Sequence, residues 1–567
     1  MNKQEKLKKI AIGVEDFKEI IDKDGYFVDK TLMIKKLIES RAKVTLFTRP
    51  RRFGKTLNQF MIRRFFEDEI TEDGEEVDNG YLFDGLKIAE CGEEILKHQQ
   101  QYPVIFMTLK SAKQPTYEMA YACLVDEICK EFERHSYVLQ GEMSQRNREI
   151  FERISLGKGS DDEYATAFAF LSECLFKYHK KKAIILIDEY DVPLENAYFR
   201  GFYDEMIDFI RSLFESALKT NPYLEKSVIT GCLRISKESI FTGLNNLETD
   251  SVLHTRFGDS FGFTQEEVEG LLAYYDLSEQ LEEVKKWYDG YLFNDFEIYN
   301  PWSILKYVND RKDHVTEFAL PYWSNTSSNS IVREMVGEAD EMAKADLETL
   351  MAGGTIEKQV HEDITYGDIH QTQDNLWNFL FFTGYLKKVG ERTVGNNLWL
   401  EMKIPNIEIA TIYENSISYW FEQKIKATDR SPLVRALETG DCEAAEDFIN
   451  RQLADTISYY DYAETFYHGF MAGLLVNIGG YRVKSNRESG NGRPDIVMTE
   501  SKFRGRAMIL ELKISDTIQG MEKKCEEALT QMKEQKYESS LEDDGYRPIL
   551  KYAICFFKKG CMVKKAE

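Results

Sequence analysis

The chain has 567 residues, with 73 Lys and Arg against 97 Asp and Glu, a formal charge of −24. That length predicts several domains at about 150 residues each, and a hydrophobic content of 43% is enough for large cores. The acidic balance excludes non-specific coating of nucleic acid and leaves room only for local basic contacts or contacts assisted by metal ions. The nine cysteines are scattered without a C-x-x-C pair, which points to reduced thiols and away from a zinc site or disulfide framework. His361-Glu362 lacks the second histidine of a zincin. The basic N-terminus has no apolar core behind it, and no apolar run approaches a membrane span. The expectation is a soluble, cytoplasmic protein with no membrane partner.

In chain order, Gly25 to Thr31 reads as a short strand, and Leu32, Ile34, Leu37 and Ile38 as a helix. Val44 to Thr48 is a β-branched apolar run expected as a buried strand. Gly54-Lys55-Thr56 follows, then Leu57, Phe60, Met61, Phe65 and Phe66 at helical spacing. Strand, tight loop, Gly-Lys-Thr and helix form the order of a phosphate-binding loop. Backbone N–H groups of Arg52, Phe53 and Gly54 would meet phosphates at the helix N-terminus. Lys55 would reach the β- and γ-phosphates of ATP, and the Thr56 hydroxyl would ligate magnesium. The leading glycine of the general pattern is Arg49 here, with Arg51 and Arg52 beside it.

An acidic loop (68–78), a strand at Val104 to Leu109 and helices over Tyr117–His135 and Tyr164–Lys180 come next. Ala183 to Ile187 is an apolar strand ending in Asp188-Glu189. Asp188 would hold the magnesium ion, and Glu189 sits where a general base polarises water. A helix over Phe202–Leu218 and a strand Ser227–Cys232 follow. Thr230 and Arg234 are candidates for sensing the γ-phosphate, while a plain strand end with a helix cap at Ser236 is the competing reading. Strands alternating with long helices predict a parallel sheet covered on both faces.

These residues, with Gly243-Leu244-Asn245-Asn246, resemble the bacterial AAA-ATPase-like family, whose members typically carry an arginine-rich phosphate loop. Phe261 to Val268, Trp287 to Tyr291 and Tyr299 to Ser303 also look typical of it. The resemblance implies an ATP-binding module followed by a helical, lid-like region, with a homo-oligomer compatible with ATPases of this kind. The aromatic positions of that region, such as Trp323, Trp377 and Phe379, read as core.

Near the C-terminus, Pro494-Asp495 opens the apolar strand Ile496–Met498, and after a basic turn Ala507–Leu510 leads to Glu511-Leu512-Lys513. Glu511 and Lys513 share a strand face, and a hairpin would bring Asp495 beside them. Asp495 and Glu511 would hold magnesium or manganese, and Lys513 would orient water or stabilise phosphate charge. A solvent-facing ladder of salt bridges is the competing reading. The pattern resembles the PD-(D/E)XK nuclease superfamily, with Gly480–Val483 as first strand. That resemblance implies an acid from the preceding helix, Glu464, at the metal site, and a following helix with Gln531 and Tyr537 packed against it. His468 reads as a core histidine.

The expected architecture is α/β: a P-loop ATPase domain over 1–262, a mostly helical region over 263–430, and a restriction-endonuclease-like domain over 431–567. The expected activity is ATP-gated, metal-dependent endonuclease cleavage of DNA, compatible with a role in defence or mobile-element biology, with an RNA-directed enzyme left open. A signalling or scaffold protein with a silent nuclease fold is the alternative.

Overall fold

The computed structural model describes residues 7–234, 240–241, 246–316, 318–323, 330–362, 373–454, 464–476, 478–485, 494–502 and 504–566. The chain forms two compact units, Met1–Ser328 with Glu357–Thr411, and Asn329–Ile356 with Ile412–Glu567. The region expected as a helical middle is therefore shared between the two.

In the first unit, β1 (Val44–Thr48), β2 (Val104–Thr108), β3 (Ala183–Asp188), β4 (Leu224–Gly231) and β5 (Leu247–Asp250) form one sheet. Its order is β2-β3-β4-β1-β5, and every neighbouring pair is parallel. Every residue of β1 and β3 is buried, as strands covered by helices on both faces require. Long helices make the crossovers, among them α1 (Lys55–Phe66), α2 (Tyr117–Arg134) and α3 (Ala167–His179). This order has one functional consequence. β4 lies between β1 and β3, so the ends of the phosphate-loop strand, the acidic strand and the Thr230 strand meet at one edge.

Gly25–Thr31, expected as a strand, makes only a single bridge, Gly25 to Lys9. Its apolar side chains instead face a cavity. The middle of the chain is rich in helices and also carries two three-stranded sheets. One joins Phe263–Thr264, Tyr291–Phe293 and Phe296–Tyr299. The other joins Ile356–Val360 with the hairpin Lys387–Val394 and Asn397–Lys403. Between them, α4 (Pro301–Lys312) starts with the Asn300 side chain accepting from the N–H groups of Trp302 and Ser303, a standard N-cap.

In the second unit, β6 (Tyr481–Ser485), β7 (Ile496–Glu500), β8 (Ala507–Ile514), β9 (Ile549–Phe557) and β10 (Gly560–Lys565) pair in that order. Only β8 and β9 are parallel, joined by the crossover that contains α6 (Met521–Glu534). The preceding helix, α5 (Glu464–Leu475), buries Tyr467, Phe470, Met471 and Leu474 against one sheet face with Ile496, Met498, Leu510 and Leu512. Helix α6 covers the other face with Met521, Cys525, Ala528 and Met532 on Ile509, Ala553 and Cys555. The period of two sorts the strand residues between these cores. No described helix is long and apolar enough to cross a membrane.

Candidate active sites

The first site is built at the β1–α1 junction. Gly54 takes a left-handed conformation, φ 84°, directly before α1. Arg52 also has positive φ, 70°, which costs a non-glycine residue about 1–2 kcal/mol. The Lys55 ammonium donates to the carbonyls of Arg49 (3.0 Å) and Pro50 (3.1 Å). It also lies 3.7 Å from the Glu189 carboxylate and 3.5 Å from Cys232 Sγ.

Asp188, at the end of β3, is fully buried. One of its oxygens accepts from the Thr56 hydroxyl (2.8 Å), and the other accepts from the Thr230 hydroxyl (2.6 Å). Thr56, Asp188 and Thr230 therefore meet as the strand order dictates. Burial, with the neighbouring Glu189 charge, pushes the Asp188 carboxyl up. Burial acts in the same sense on Glu189, but Lys55 and Arg51 outweigh it and hold that carboxyl below its ordinary value. Glu189 has φ 56°, a strained backbone of the kind that persists at sites where neighbours over-determine it.

Sequence reasoning missed Asp191 and Cys232. Asp191 accepts from the N–H groups of Cys232 and Leu233 through one oxygen, at 2.7 and 3.1 Å. Its other oxygen is buried without a hydrogen-bond partner. Glu189, Asp191 and Cys232 bring ligand atoms within 4.8 Å of one another, with the Lys55 ammonium next to them. Burial and Glu189 push Asp191 up to about 6, and burial pushes the Cys232 thiol up to about 12. Burial pulls the Lys55 ammonium down, but Cys232 first and then the Glu189, Asp191 and Asp188 carboxylates outweigh it, and its pKa rises above the ordinary value. The ammonium is thus the cluster's counter-charge. Gly231 permits the packing, because a Cβ there would lie 2.5 Å from the Tyr190 ring and 2.9 Å from Asp191. The signal available in sequence was the third acid of Asp188-Glu189-Tyr190-Asp191.

Arg49, in the place of the usual glycine, turns inward. It is fully buried and pairs with Asp250 at 2.5 Å, with the Phe261 and Phe293 rings 5.0 and 5.4 Å from its guanidinium. The Phe53 side chain is buried beside Tyr291 and Phe293, and its carbonyl accepts from the Gly262 N–H at 3.0 Å. The aromatic motifs of the middle region therefore hold the phosphate loop. Arg234 is placed elsewhere: its guanidinium lies 3.9 Å from Glu362, and it does not line the cavity. Ser236 and Gly243 to Asn245 lie outside the described residues.

A cavity of about 520 Å³ opens from this loop. Its lining includes the polar residues Lys55, Thr56, Arg52 and Glu189 and the apolar or aromatic residues Val14, Tyr26, Val28, Phe263, Trp302 and Leu305. Large apolar pockets with a few convergent charges are the usual form of a small-molecule site.

The second site lies in the other unit, on the α6 face of its sheet. Asp495 precedes β7, and one of its oxygens accepts from the Leu512 N–H at 2.8 Å. Glu511, on β8, lies 3.2 Å from the Lys513 ammonium through one oxygen. Its other oxygen is buried and has no hydrogen-bond partner. Burial and the nearby Asp495 charge push the Glu511 carboxyl up to about 7. Gln531 donates to the Tyr537 hydroxyl at 3.0 Å, and burial raises the Tyr537 pKa, with Glu511 and Asp495 close enough to add to it. His468 is buried, with Nε2 at 3.4 Å from both the Asp495 carbonyl and the Ser485 hydroxyl. Glu464 heads α5, but its side chain lies outside the described residues, as does the Gly490–Arg493 turn.

Residues 11–241 match the family described as predicted AAA-ATPase, and residues 462–566 match the PD-(D/E)XK nuclease superfamily. The chain joins an AAA-ATPase-like domain to a PD-(D/E)XK nuclease superfamily domain. It is also 24% identical over 550 residues to an uncharacterized protein in the vnfD 5' region of Azotobacter chroococcum mcd 1. That match covers 94% of this chain and 93% of the relative. The two-domain arrangement of the AAA-ATPase-like and nuclease families thus supports ATPase and nuclease-type functions.

Proposed function

We propose that this protein hydrolyses ATP and uses the nucleotide cycle to control metal-dependent cleavage of DNA by its C-terminal domain. The observation that carries the nuclease reading is the convergence of Asp495, Glu511 and Lys513 on one sheet face, with a buried Glu511 oxygen left without a partner. Two close carboxylates and one ammonium retain negative charge, and a buried carboxylate without a hydrogen bond is costly. The donor set fits a hard divalent cation, magnesium or manganese, held by Asp495 and Glu511. Such an ion supplies water activation and charge neutralisation at a phosphodiester. Lys513 orients the attacking water or steadies the phosphate from the same face, and Asp495 stays fixed by the Leu512 N–H. Residues 462–566 carry 18 Lys and Arg against 14 Asp and Glu, net +4, in a chain of net −24, which supports a nucleic-acid contact through this domain.

At the other site, Lys55 and the N–H groups of Arg52, Phe53 and Gly54 bind phosphates, and Thr56 with Asp188 is the donor pair suited to magnesium. Glu189 accepts the proton of the attacking water. The match of residues 11–241 to the predicted AAA-ATPase family supports adenine as the base.

The reading is tested by cleavage of plasmid, linear and single-stranded DNA, and of RNA, with magnesium or manganese and with or without ATP. Cutting that Glu511→Ala abolishes and Lys55→Ala alters is expected. Cutting unchanged in Lys55→Ala ends the control by ATP. No cutting under any condition, with ATP still bound, leaves a nucleotide-dependent switch or scaffold protein.

A further inference from the structure

We propose that Arg52 is the arginine that neutralises the γ-phosphate as ATP is hydrolysed, supplied by the phosphate loop itself and positioned by Trp302. This rests on the ATP reading above. Arg52 lines the cavity together with Lys55, Thr56 and Glu189, and its charge is felt by Glu189. Its backbone sits at φ 70°, in the left-handed region where a glycine would be relaxed. A long cationic side chain has been kept there against that strain.

The other arginines nearby are committed to acids. Arg49 is buried on Asp250, Arg51 is paired with Glu195, and Arg234 faces Glu362. Among the described residues, no carboxylate lies within ion-pair distance of Arg52. Its guanidinium instead lies 4.6 Å from the centre of the Trp302 ring, a cation–π contact. The backbone that carries the indole is itself fixed. Trp302 stands in the first turn of α4, where Pro301 sets the backbone and the Asn300 side chain takes the Trp302 N–H at 2.9 Å. Stacking restrains a planar guanidinium without consuming its five N–H donors. Arg52 is thereby held at the wall of the cavity that Lys55, Thr56 and Glu189 also line, with its N–H donors committed to no carboxylate among the described residues.

In the reaction, the water oxygen bonds to the γ-phosphorus as the bond from phosphorus to the β–γ bridging oxygen breaks. The electron pair of that bond leaves on ADP, and the water proton passes to Glu189. Charge grows on the bridging and γ-oxygens, and Arg52 offers N–H donors to it. No second copy of the chain is then needed to complete the site.

The test uses the full chain and two readouts: steady-state ATP turnover, and trapping of ADP with magnesium and aluminium fluoride, a mimic of the transferring phosphoryl group. Arg52→Ala is expected to lower kcat by at least about 1,000-fold, the lower end of what such arginines contribute. It should abolish trapping while leaving the Kd for ADP within about threefold. Arg256→Ala, an arginine paired with Glu248 that does not line the cavity, is the comparator and should retain trapping. Trp302→Ala should lower kcat about tenfold with little change in KM, and Trp302→Phe, which keeps a ring face, should restore it. Mixing Arg52→Ala with Lys55→Ala should restore nothing.

Turnover and trapping by Arg52→Ala within about twofold of the wild type would overturn the proposal. So would restored activity in the mixture, which would place the arginine in trans. A wild-type protein that binds ATP without turning it over overturns this proposal alone. A wild-type protein that binds no ATP sinks the ATP reading as well.

Discussion

The carboxylates of Asp188 and Glu511 lie on strands in different units, are both buried, and both titrate above their ordinary range. They differ in who satisfies them. Both oxygens of Asp188 accept from hydroxyls, Thr56 on the phosphate-loop helix and Thr230 on the neighbouring strand. Glu511 has Lys513 on one oxygen and nothing on the other. The first site is wired into its own fold, so a shift of Asp188 is felt by two elements at once. The second is left incomplete by the protein, as a site is when a cation is to finish it.

The largest expected effect lies at the incomplete site. Asp495→Asn should lower metal-dependent cleavage about 1,000-fold, a loss typical of a lost metal ligand or charge in a hydrolytic site. ATP binding, measured by calorimetry on the same protein, should not move. Equal loss of both would mean that the two sites are not separable.

Next is Arg49→Gly, which restores the general glycine pattern yet leaves Asp250 buried without its partner. Removing one member of a buried ion pair costs about 3–5 kcal/mol, read as a fall in the denaturant midpoint. A variant as stable as the wild type would show that the pair is dispensable.

Lys55→Ala should weaken ATP binding by about 2–3 kcal/mol, about 30- to 150-fold, because charge-assisted phosphate contacts are the strong ones. An unchanged Kd would remove Lys55 from the nucleotide site.

The smallest effect is one of pH. Glu511 keeps its proton in the folded state up to about 7, against an ordinary 4.5. Its contribution to stability is therefore complete below about pH 4.5 and is lost as pH rises through about 7. Glu511→Gln should match the wild type at pH 5 and exceed it by about 1–3 kcal/mol at pH 8. Magnesium or manganese should raise the wild-type Tm more at pH 8 than at pH 5, and should not do so in Glu511→Gln. A pH-independent difference between the two proteins would refute this account of the site.

Local patterns carried much of the fold. The strands at 44–48, 104–108 and 183–188 were legible because each is a short apolar run with β-branched residues. Asp495, Glu511 and Lys513 were legible because a two-residue period fixes which side chains share a face. Strand β5 was not read, since Leu-Glu-Thr-Asp lacks an apolar run and is defined by its pairing with β1. Gly25–Thr31 was misread as a strand, because its apolar residues Tyr26 and Val28 line a cavity and pair with no sheet. Trp302 and Asp191 were missed for a common reason. Their roles depend on partners 250 and 41 positions away, Arg52 and Cys232, and no local window contains both ends.

The interleaving of the two compact units along the chain bears on how the protein can be made and divided. Asn329–Ile356 belongs with the C-terminal unit, although Glu357–Thr411, which follows it, belongs with the N-terminal one. A ribosome must therefore release more than 400 residues before the N-terminal unit has all its parts, and the nascent chain must hold one segment of the later unit in reserve. No single cut separates the halves cleanly. A fragment ending at residue 328 lacks Glu357–Thr411, and one beginning at residue 412 lacks Asn329–Ile356. Limited proteolysis should accordingly give paired fragments that stay associated, and expression of either half alone should give an incompletely folded product.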